Sequence, residues 1–294
     1  MGVFSKTGLL KFGKLVKFEH SIFALPYAYL GMILASYHEF KVLPSWWTVF
    51  WVTLAMVSAR SAAMVLNRLI DSVIDAKNPR TANREIPKGV VSVHEGIMYA
   101  VISLVILAVS AWMLGDLCFK LLPIAIIFLV GYSYTKRFTW GCHFFLGITD
   151  GLAPMGGWIA VTGDLHPGAW LLGGIVAVWI AGFDIIYACQ DVKFDTANRL
   201  HSVPVRFGVG PALKIARAFH VLTILLFLIL PQVISLGWMY YIGVLIIAVL
   251  LIIEHRLVRP SDMSKIHTAF FTINSYIATV AFIFTFANVL VNVI

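Results

Sequence analysis

Nine separate apolar runs, each long enough at about 20 residues to cross a bilayer as a helix, decide what this chain can fold into. They lie near residues 18 to 38, 46 to 66, 97 to 115, 117 to 135, 143 to 162, 168 to 190, 218 to 236, 237 to 254 and 267 to 291. Composition agrees. Of 294 residues, 60% are hydrophobic and 12% charged, where soluble domains carry roughly 25% charge, and the mean hydropathy is +0.90. A soluble chain of this make-up could not cover itself with polar surface, which excludes secreted, nucleic-acid-binding and ordinary cytosolic classes. The expectation is an all-α, multi-pass membrane protein, a single intramembrane domain over residues 1 to 294. Its surroundings are the lipid bilayer, and no nucleic acid is a partner. The finest division is at Ser235 to Gly237, where Pro231 is alternatively a kink within one longer span.

Residues 1 to 17 place Lys6, Lys11, Lys14 and Lys17 among Phe4, Leu9, Leu10, Phe12, Leu15 and Val16, the pattern of a basic amphipathic helix on a membrane surface. No small-residue cleavage site follows, and Lys6 stands where a myristoylation signal needs Ser or Thr. Cys118, Cys142 and Cys189 sit in apolar surroundings without a C-x-x-C and read as packing residues.

Basic residues are unevenly shared between the two sides that nine spans define. Nineteen of the 22 fall on one side: four before the first span, five from Arg68 to Lys88, Lys136 and Arg137, five from Lys193 to Arg217, and Arg256, Arg259 and Lys265. Lys41 and Lys120 fall on the other, and Arg60 lies inside the second span. Because Lys and Arg collect on the cytoplasmic side, the N terminus is expected in the cytoplasm of a cell (inner) membrane protein and the C terminus outside.

Acidic residues are rarer, at 14, and five of them form two clusters. Asp71 and Asp75 follow Asn67 at steps of four; Asp184, Asp191 and Asp195 are spaced by seven and four. On a continuous helix such spacing gathers each cluster on one face, where like charges repel, so something positive is expected between them. Both clusters sit at the cytoplasmic ends of spans two and six, where the cytosolic active-site loops 67 to 96 and 191 to 217 begin. Asp71 to Asp191 and Asp75 to Asp195 are each 120 residues apart, which hints at two equivalent halves. Carboxylates with an amide suit a hard divalent cation, and few carboxylates completed by phosphate oxygens suit Mg2+. The loop from Lys77 to Gly89 carries Arg80 and Arg84, and Lys136 lies one helical turn after Tyr132. Guanidinium forks and an ammonium so placed suit phosphate oxygens. A diphosphate site at a membrane surface implies an amphiphile, its head in the site and its hydrocarbon among the helices.

Asn67-x3-Asp71-x3-Asp75 with Asp191-x3-Asp195 resembles the UbiA superfamily of intramembrane aromatic prenyltransferases. The phrases Phe18 to Tyr27, Asn78 to Thr81, Asp150 to Pro154 and Leu200 to Gly208 are similar to its branch of 4-hydroxybenzoate polyprenyltransferases and their menaquinone-pathway relatives. Arg68 departs from the pattern, since many members carry a further Asp there, and this leaves open how many carboxylates touch the first metal. The resemblance implies that Asn67, Asp71, Asp75, Asp191 and Asp195 hold two magnesium ions bridging a polyprenyl diphosphate. It further implies that Arg80, Arg84 and Lys136 grip the diphosphate, and that an aromatic hydroxy acid, 4-hydroxybenzoate or a hydroxynaphthoate, attacks the allylic cation. The ring proton would then pass to Asp191 or Asp184.

Arg60 is seven residues before Asn67, on the same face and about 10 Å deeper by helical rise; in the resembled family an Arg so spaced meets the acceptor carboxylate. Asp150 beside Gly151 and Pro154 either closes a polar network or caps broken backbone. Tyr187 shares the inward face of the aspartates, and either flanks the cation or is a core aromatic. His20 and His143 read as helix-end residues. A multi-pass secondary transporter is the alternative class, but its ions bind near the midplane at broken helices, whereas these aspartates gather at one surface. A CDP-alcohol phosphotransferase would carry D-x-x-D-G-x-x-A-R, which is absent from the sequence.

Overall fold

The structure, a computed structural model, describes residues 6–16 and 25–293. Among these it is helical throughout, with an isolated β-bridge between Arg259 and Asp262. A short amphipathic α1 (Lys6–Leu15) precedes α2 (Leu25–Phe40), α3 (Trp46–Ile70), the short α4 (Ser72–Lys77), α5 (Val93–Leu114) and α6 (Asp116–Thr135). Then come α7 (Cys142–Thr162), α8 (Pro167–Ala188), the short α9 (Val192–Ala197) and α10 (Val203–Phe207), α11 (Val209–Val233), α12 (Trp238–Leu257) and α13 (Asn274–Val293). A π-helical turn, Thr268–Ile273, leads into the last of these.

Eight described helices are long and apolar enough to span a membrane. The remaining expected span is represented by the 16 residues of α2, next to residues 17–24. Lys17, His20 and the stretch from Phe18 to Ala24 lie outside the described residues. Lys11 of α1 bonds Glu95 at 3.1 Å, and Tyr99 donates to the Gly8 carbonyl, which ties α1 to α5. The break between α11 and α12 falls at Ile234 to Gly237 as expected, and Pro231 stays inside α11. Capping explains several boundaries: Ser92 and Glu95 form a reciprocal capping box on α5, and Pro167 follows the N-cap His166 of α8.

Large apolar side chains such as Val105, Trp112, Ile127, Leu225, Leu245 and Ile252 are exposed on the outside of the bundle, where a bilayer is their natural solvent. Inside, small residues bring helix backbones close. A Cβ on Gly31 of α2 would collide with the Pro154 carbonyl of α7, and one on Gly147 would collide with the Ala177 carbonyl of α8. This is how helices pack without a hydrophobic driving force between them. α7 runs unbroken past Asp150 and Pro154, so the backbone there is not broken in the way one sequence reading of Asp150 required.

Buried polar groups tie the C-terminal helices together. Asn274 Nδ2 donates to Glu254 Oε1 at 3.0 Å and to the carbonyls of Ala269 and Phe270, while its Oδ1 accepts from Trp179 Nε1 at 2.9 Å. The π-turn frees backbone carbonyls, and Asn274 satisfies them. The turn in turn stacks Phe270 on Tyr187 of α8, with ring centroids 3.9 Å apart.

Candidate functional site

The two acidic clusters do not lie on continuous helices. Asp71 ends α3 and begins α4 with φ −94°, ψ 4°; Asp191 ends the turn after α8 and begins α9 with φ −96°, ψ 1°. The same kink thus recurs 120 residues later, and each kink is followed by a six-residue helix whose fourth residue is an aspartate, Asp75 or Asp195. The equivalence hinted at by spacing is structural. Neither kink contains Gly or Pro, so the spacing alone reads as continuous helix.

The kinks face one another across a cavity of about 240 Å3. Its lining includes Asn67, Asp71, Asp75, Arg80, Arg84, Tyr132, Lys136, Asp184, Tyr187, Asp191 and Asp195. Of the sequence-predicted site residues only Arg60 and Asp150 lie elsewhere.

Every paired aspartate has its own cation. Arg80 forks onto Asp191, Nε to Oδ1 at 3.0 Å and Nη2 to Oδ2 at 2.7 Å. Arg84 meets Asp75 at 2.6 Å, Lys136 meets Asp195 at 2.7 Å, and Arg137 meets Asp71 at 3.0 Å. Arg80 and Arg84 come from one loop and Lys136 and Arg137 are neighbours, yet each couple divides, one member to each cluster. The two halves are cross-linked by charge. Buried carboxylates at 1 to 9% side-chain exposure (Asp75, Asp191, Asp195) would otherwise stand uncompensated.

Further polar groups hold the arrangement. Asn67 Nδ2 donates to Asp71 Oδ2 at 2.9 Å and to Ser133 Oγ at 3.2 Å. Asn78 Oδ1 accepts the Arg80 backbone N–H, which sets the loop from which Arg80 reaches across. The Tyr187 hydroxyl accepts from Arg80 Nη1 at 3.2 Å. Burial pushes the Asp71 carboxyl above its ordinary range, and the Arg137 contact only partly offsets this. Burial works against charge on Lys136 and on Arg80 as well, but Asp195 and Asp191 respectively hold each above its usual value, so both stay cationic. Among the described residues, no three His, Cys, Asp or Glu side chains converge closely enough to hold a metal ion by themselves.

Two site residues escaped the sequence reading. Arg137 counted only toward charge asymmetry, although its place beside Lys136 was a usable signal. His143, read as a helix-end residue, is 1% exposed, lines the cavity, and contacts Asp184 at 2.6 Å. Nothing local could have announced a partner 41 residues away.

Below the polar cavity lies a larger apolar one of about 690 Å3, walled by α3, α5, α6, α7 and α8. Tyr132 and Leu146 line both, so the two adjoin. Arg60 and Asp150 line the apolar cavity, and Arg60 Nε is buried with no hydrogen-bond partner among the described residues. Tyr132 donates to the Ala63 carbonyl at 3.4 Å, between the two levels.

A helical membrane bundle with paired acidic kinks, matching cations and an adjoining apolar cavity is the architecture of an enzyme that handles a charged head on a hydrocarbon tail. The UbiA prenyltransferase family profile matches residues 24–276, and the chain belongs to that family. It is 28% identical to the 4-hydroxybenzoate octaprenyltransferase of Aliivibrio fischeri over 85% of this chain and 87% of that one. It is 32% identical to the 4-hydroxybenzoate solanesyltransferase of Synechocystis over 78% of each. Among solved structures, an apo UbiA homologue from Aeropyrum pernix K1 superposes with a TM-score of 0.82 at 28% identity, covering 94% of this chain and 98% of that one. An Archaeoglobus fulgidus UbiA homologue bound to GPP and Mg2+ gives a TM-score of 0.68 at 19% identity, covering 94% and 99%, a likeness of fold.

The ion pairs carry a direct stability prediction. Lys136→Met should leave Asp195 buried without its cation and cost about 2 kcal/mol, less than a fully buried pair would because Lys136 is 34% exposed. Adding Asp195→Asn should recover most of the loss. Thermal unfolding of the purified variants measures both; an unchanged Tm for Lys136→Met would contradict the pairing.

Proposed function

We propose that this chain transfers a polyprenyl group from a polyprenyl diphosphate to the ring of an aromatic hydroxy acid in quinone biosynthesis. 4-Hydroxybenzoate is the favoured acceptor, because the relatives are named for it; a hydroxynaphthoate of menaquinone biosynthesis is the second reading, which rests on the sequence phrases alone. The observation that carries the proposal is the adjoining of the two cavities at Tyr132 and Leu146. A diphosphate fits the upper cavity among Arg80, Arg84, Lys136 and Arg137, and its allylic tail fits the apolar one. A transporter reading has no use for so specific a junction at one end of the bundle.

The donor set fits Mg2+. Asn67, Asp71 and Asp75 on one kink and Asp191 and Asp195 on the other offer oxygen ligands from two sides of one cavity, and magnesium is commonly held by one or two carboxylates with substrate phosphates completing its shell. Bound there, Mg2+ supplies charge that stabilises the departing diphosphate. The chain does the rest. The four cations bind and orient the diphosphate and stabilise its growing charge. The apolar cavity excludes water from the allylic cation, and the Tyr187 ring flanks it. Arg60, which lines that cavity, anchors the acceptor carboxylate. The ring attacks the allylic carbon, the C–O bond to diphosphate having broken, and the ring proton passes to Asp184 or Asp191. Asp150 sets the polarity of the acceptor pocket opposite Arg60.

Asp71→Ala and Asp191→Ala should each abolish transfer of labelled prenyl groups to 4-hydroxybenzoate by reconstituted protein, and chelation of magnesium should do the same. Near-normal turnover in either folded variant would sink the two-cluster assignment.

Arg60→Ala should raise KM for the aromatic acid and lower kcat/KM by about tenfold to a hundredfold, the worth of one charge-assisted hydrogen bond at about 1.5–3 kcal/mol. Its KM for the polyprenyl diphosphate should hold steady. Equal losses for both substrates would leave Arg60 a structural residue.

We place the site on the cytoplasmic side of an inner membrane, with the N terminus inside and the C terminus outside, because nineteen of 22 basic residues lie on the side of the site. Single cysteines at the exposed positions Lys88 and Arg199 should be labelled from the cytosol alone, and one at exposed Gly163 from outside alone. The opposite pattern inverts the orientation.

A further inference from the structure

The mechanism above leaves two carboxylates as acceptors of the ring proton, and their surroundings separate them. Both oxygens of Asp191 are taken by the Arg80 fork, and the Asp sits at the kink among the other cation-paired carboxylates. Asp184, one turn before the end of α8, has no Arg or Lys partner among the described residues. Its Oδ2 contacts His143 Nδ1 at 2.6 Å, and its Oδ1 makes no hydrogen bond among the described residues. The carboxyl is 23% exposed, on the wall of the polar cavity.

The imidazole of His143 is held at both nitrogens. Nε2 accepts the backbone N–H of Val203 at 3.2 Å. A ring nitrogen that accepts a hydrogen bond carries no proton of its own, so the ring proton of His143 sits on Nδ1 and is donated to Asp184 Oδ2. Val203 opens α10, whose N-cap Ser202 accepts from the Val205 N–H, and the preceding His201 N–H donates to the Lys136 carbonyl at 2.7 Å. The loop from Leu200 onward is thereby fixed against the site, and it presents one backbone N–H to one imidazole nitrogen.

We infer that His143 is a positioning residue for proton removal: held by the Val203 N–H, it donates to Asp184 Oδ2 and so leaves Asp184 Oδ1 as the acceptor of the ring proton. The inference rests on the ring alkylation proposed above. In that step the new carbon–carbon bond leaves the attacked ring carbon bearing both prenyl group and hydrogen. Its C–H bond breaks, the electron pair returns to the ring and restores aromaticity, and the proton forms an O–H bond on Asp184. Asp184 then passes the proton to solvent in the polar cavity, and the diphosphate leaves separately.

The test compares 4-hydroxybenzoate bearing hydrogen or deuterium at the alkylated ring carbon, with all-trans octaprenyl diphosphate and the purified, reconstituted full chain. Wild type should show little isotope effect, because restoring aromaticity is fast when the base is in place. His143→Phe should lose about tenfold to a hundredfold in kcat, less than the about 10²- to 10⁴-fold that general-base catalysis contributes because Asp184 itself remains, show a primary isotope effect, and keep its KM for the diphosphate. His143→Gln, whose amide can both donate and accept, should recover much of the rate and lower the isotope effect. If His143→Phe fails to fold, Val203→Pro serves instead. It removes the N–H that fixes the ring and alters the buried Val203 side chain, at a first helical position where proline is tolerated, and should show a smaller version of the same isotope effect. A folded His143→Phe or Val203→Pro with wild-type rate, or a loss of rate with no isotope effect, overturns the inference. Wild type that yields no ring-prenylated product overturns the ring-alkylation reading itself, and this inference with it.

Discussion

Four aspartates gathered at a membrane surface, three of them buried, would repel one another, and the rest of the site is arranged around that fact. Carboxylates in such surroundings need a positive partner or they are very costly. The chain supplies Arg80, Arg84, Lys136 and Arg137, each on one carboxylate, and divides both sequence-adjacent couples between the two clusters. The cations neutralise the acidic kinks and tie the two halves across the cavity. They are also the groups suited to a diphosphate. On the proposed function, a ligand bringing phosphate oxygens and divalent cations together would allow an exchange, in which the cations would turn to the phosphates and the carboxylates would become free to hold the metal.

The fold puts this exchange where it is useful. Kinks at Asp71 and Asp191 turn the chain across the end of the bundle, so the charged cavity lies at the surface while α3, α5, α6, α7 and α8 enclose an apolar one beneath. Close contacts at Gly31 and Gly147 keep α7 tight against α2 and α8, and α7 carries both Asp150 in the lower cavity and His143 in the upper. Behind α8, Asn274 holds the π-turn that stacks Phe270 on Tyr187. The aromatic face toward the site is thus backed by a polar clamp in the core.

The spans were legible because hydropathy over about 20 residues reports the bilayer directly, and even the division near Ser235 to Gly237 stands where it was read. The four kink aspartates were legible because their spacing is repeated after 120 residues. The kinks themselves were not, since Asp71 and Asp191 have no Gly or Pro beside them and tertiary packing sets their backbone. Pairings across the bundle were invisible for the same reason. Arg80 to Asp191, Arg137 to Asp71 and His143 to Asp184 join residues 111, 66 and 41 positions apart, and no local pattern encodes them. Prolines 123, 154 and 231 are the reverse case. They suggest breaks, yet α6, α7 and α11 pass through them because neighbouring helices in a membrane bundle re-satisfy the freed backbone groups.

Carboxylates engaged by cations until a diphosphate arrives would make metal and diphosphate bind as one event. Calorimetric titration of Mg2+ into the purified protein, with and without an unreactive prenyl thiolodiphosphate, measures this directly. Magnesium should bind weakly alone and at least about tenfold more tightly with the analogue, and the analogue should gain by the same factor from magnesium, since coupling is reciprocal. Tight binding of magnesium that the analogue leaves unchanged would contradict the exchange.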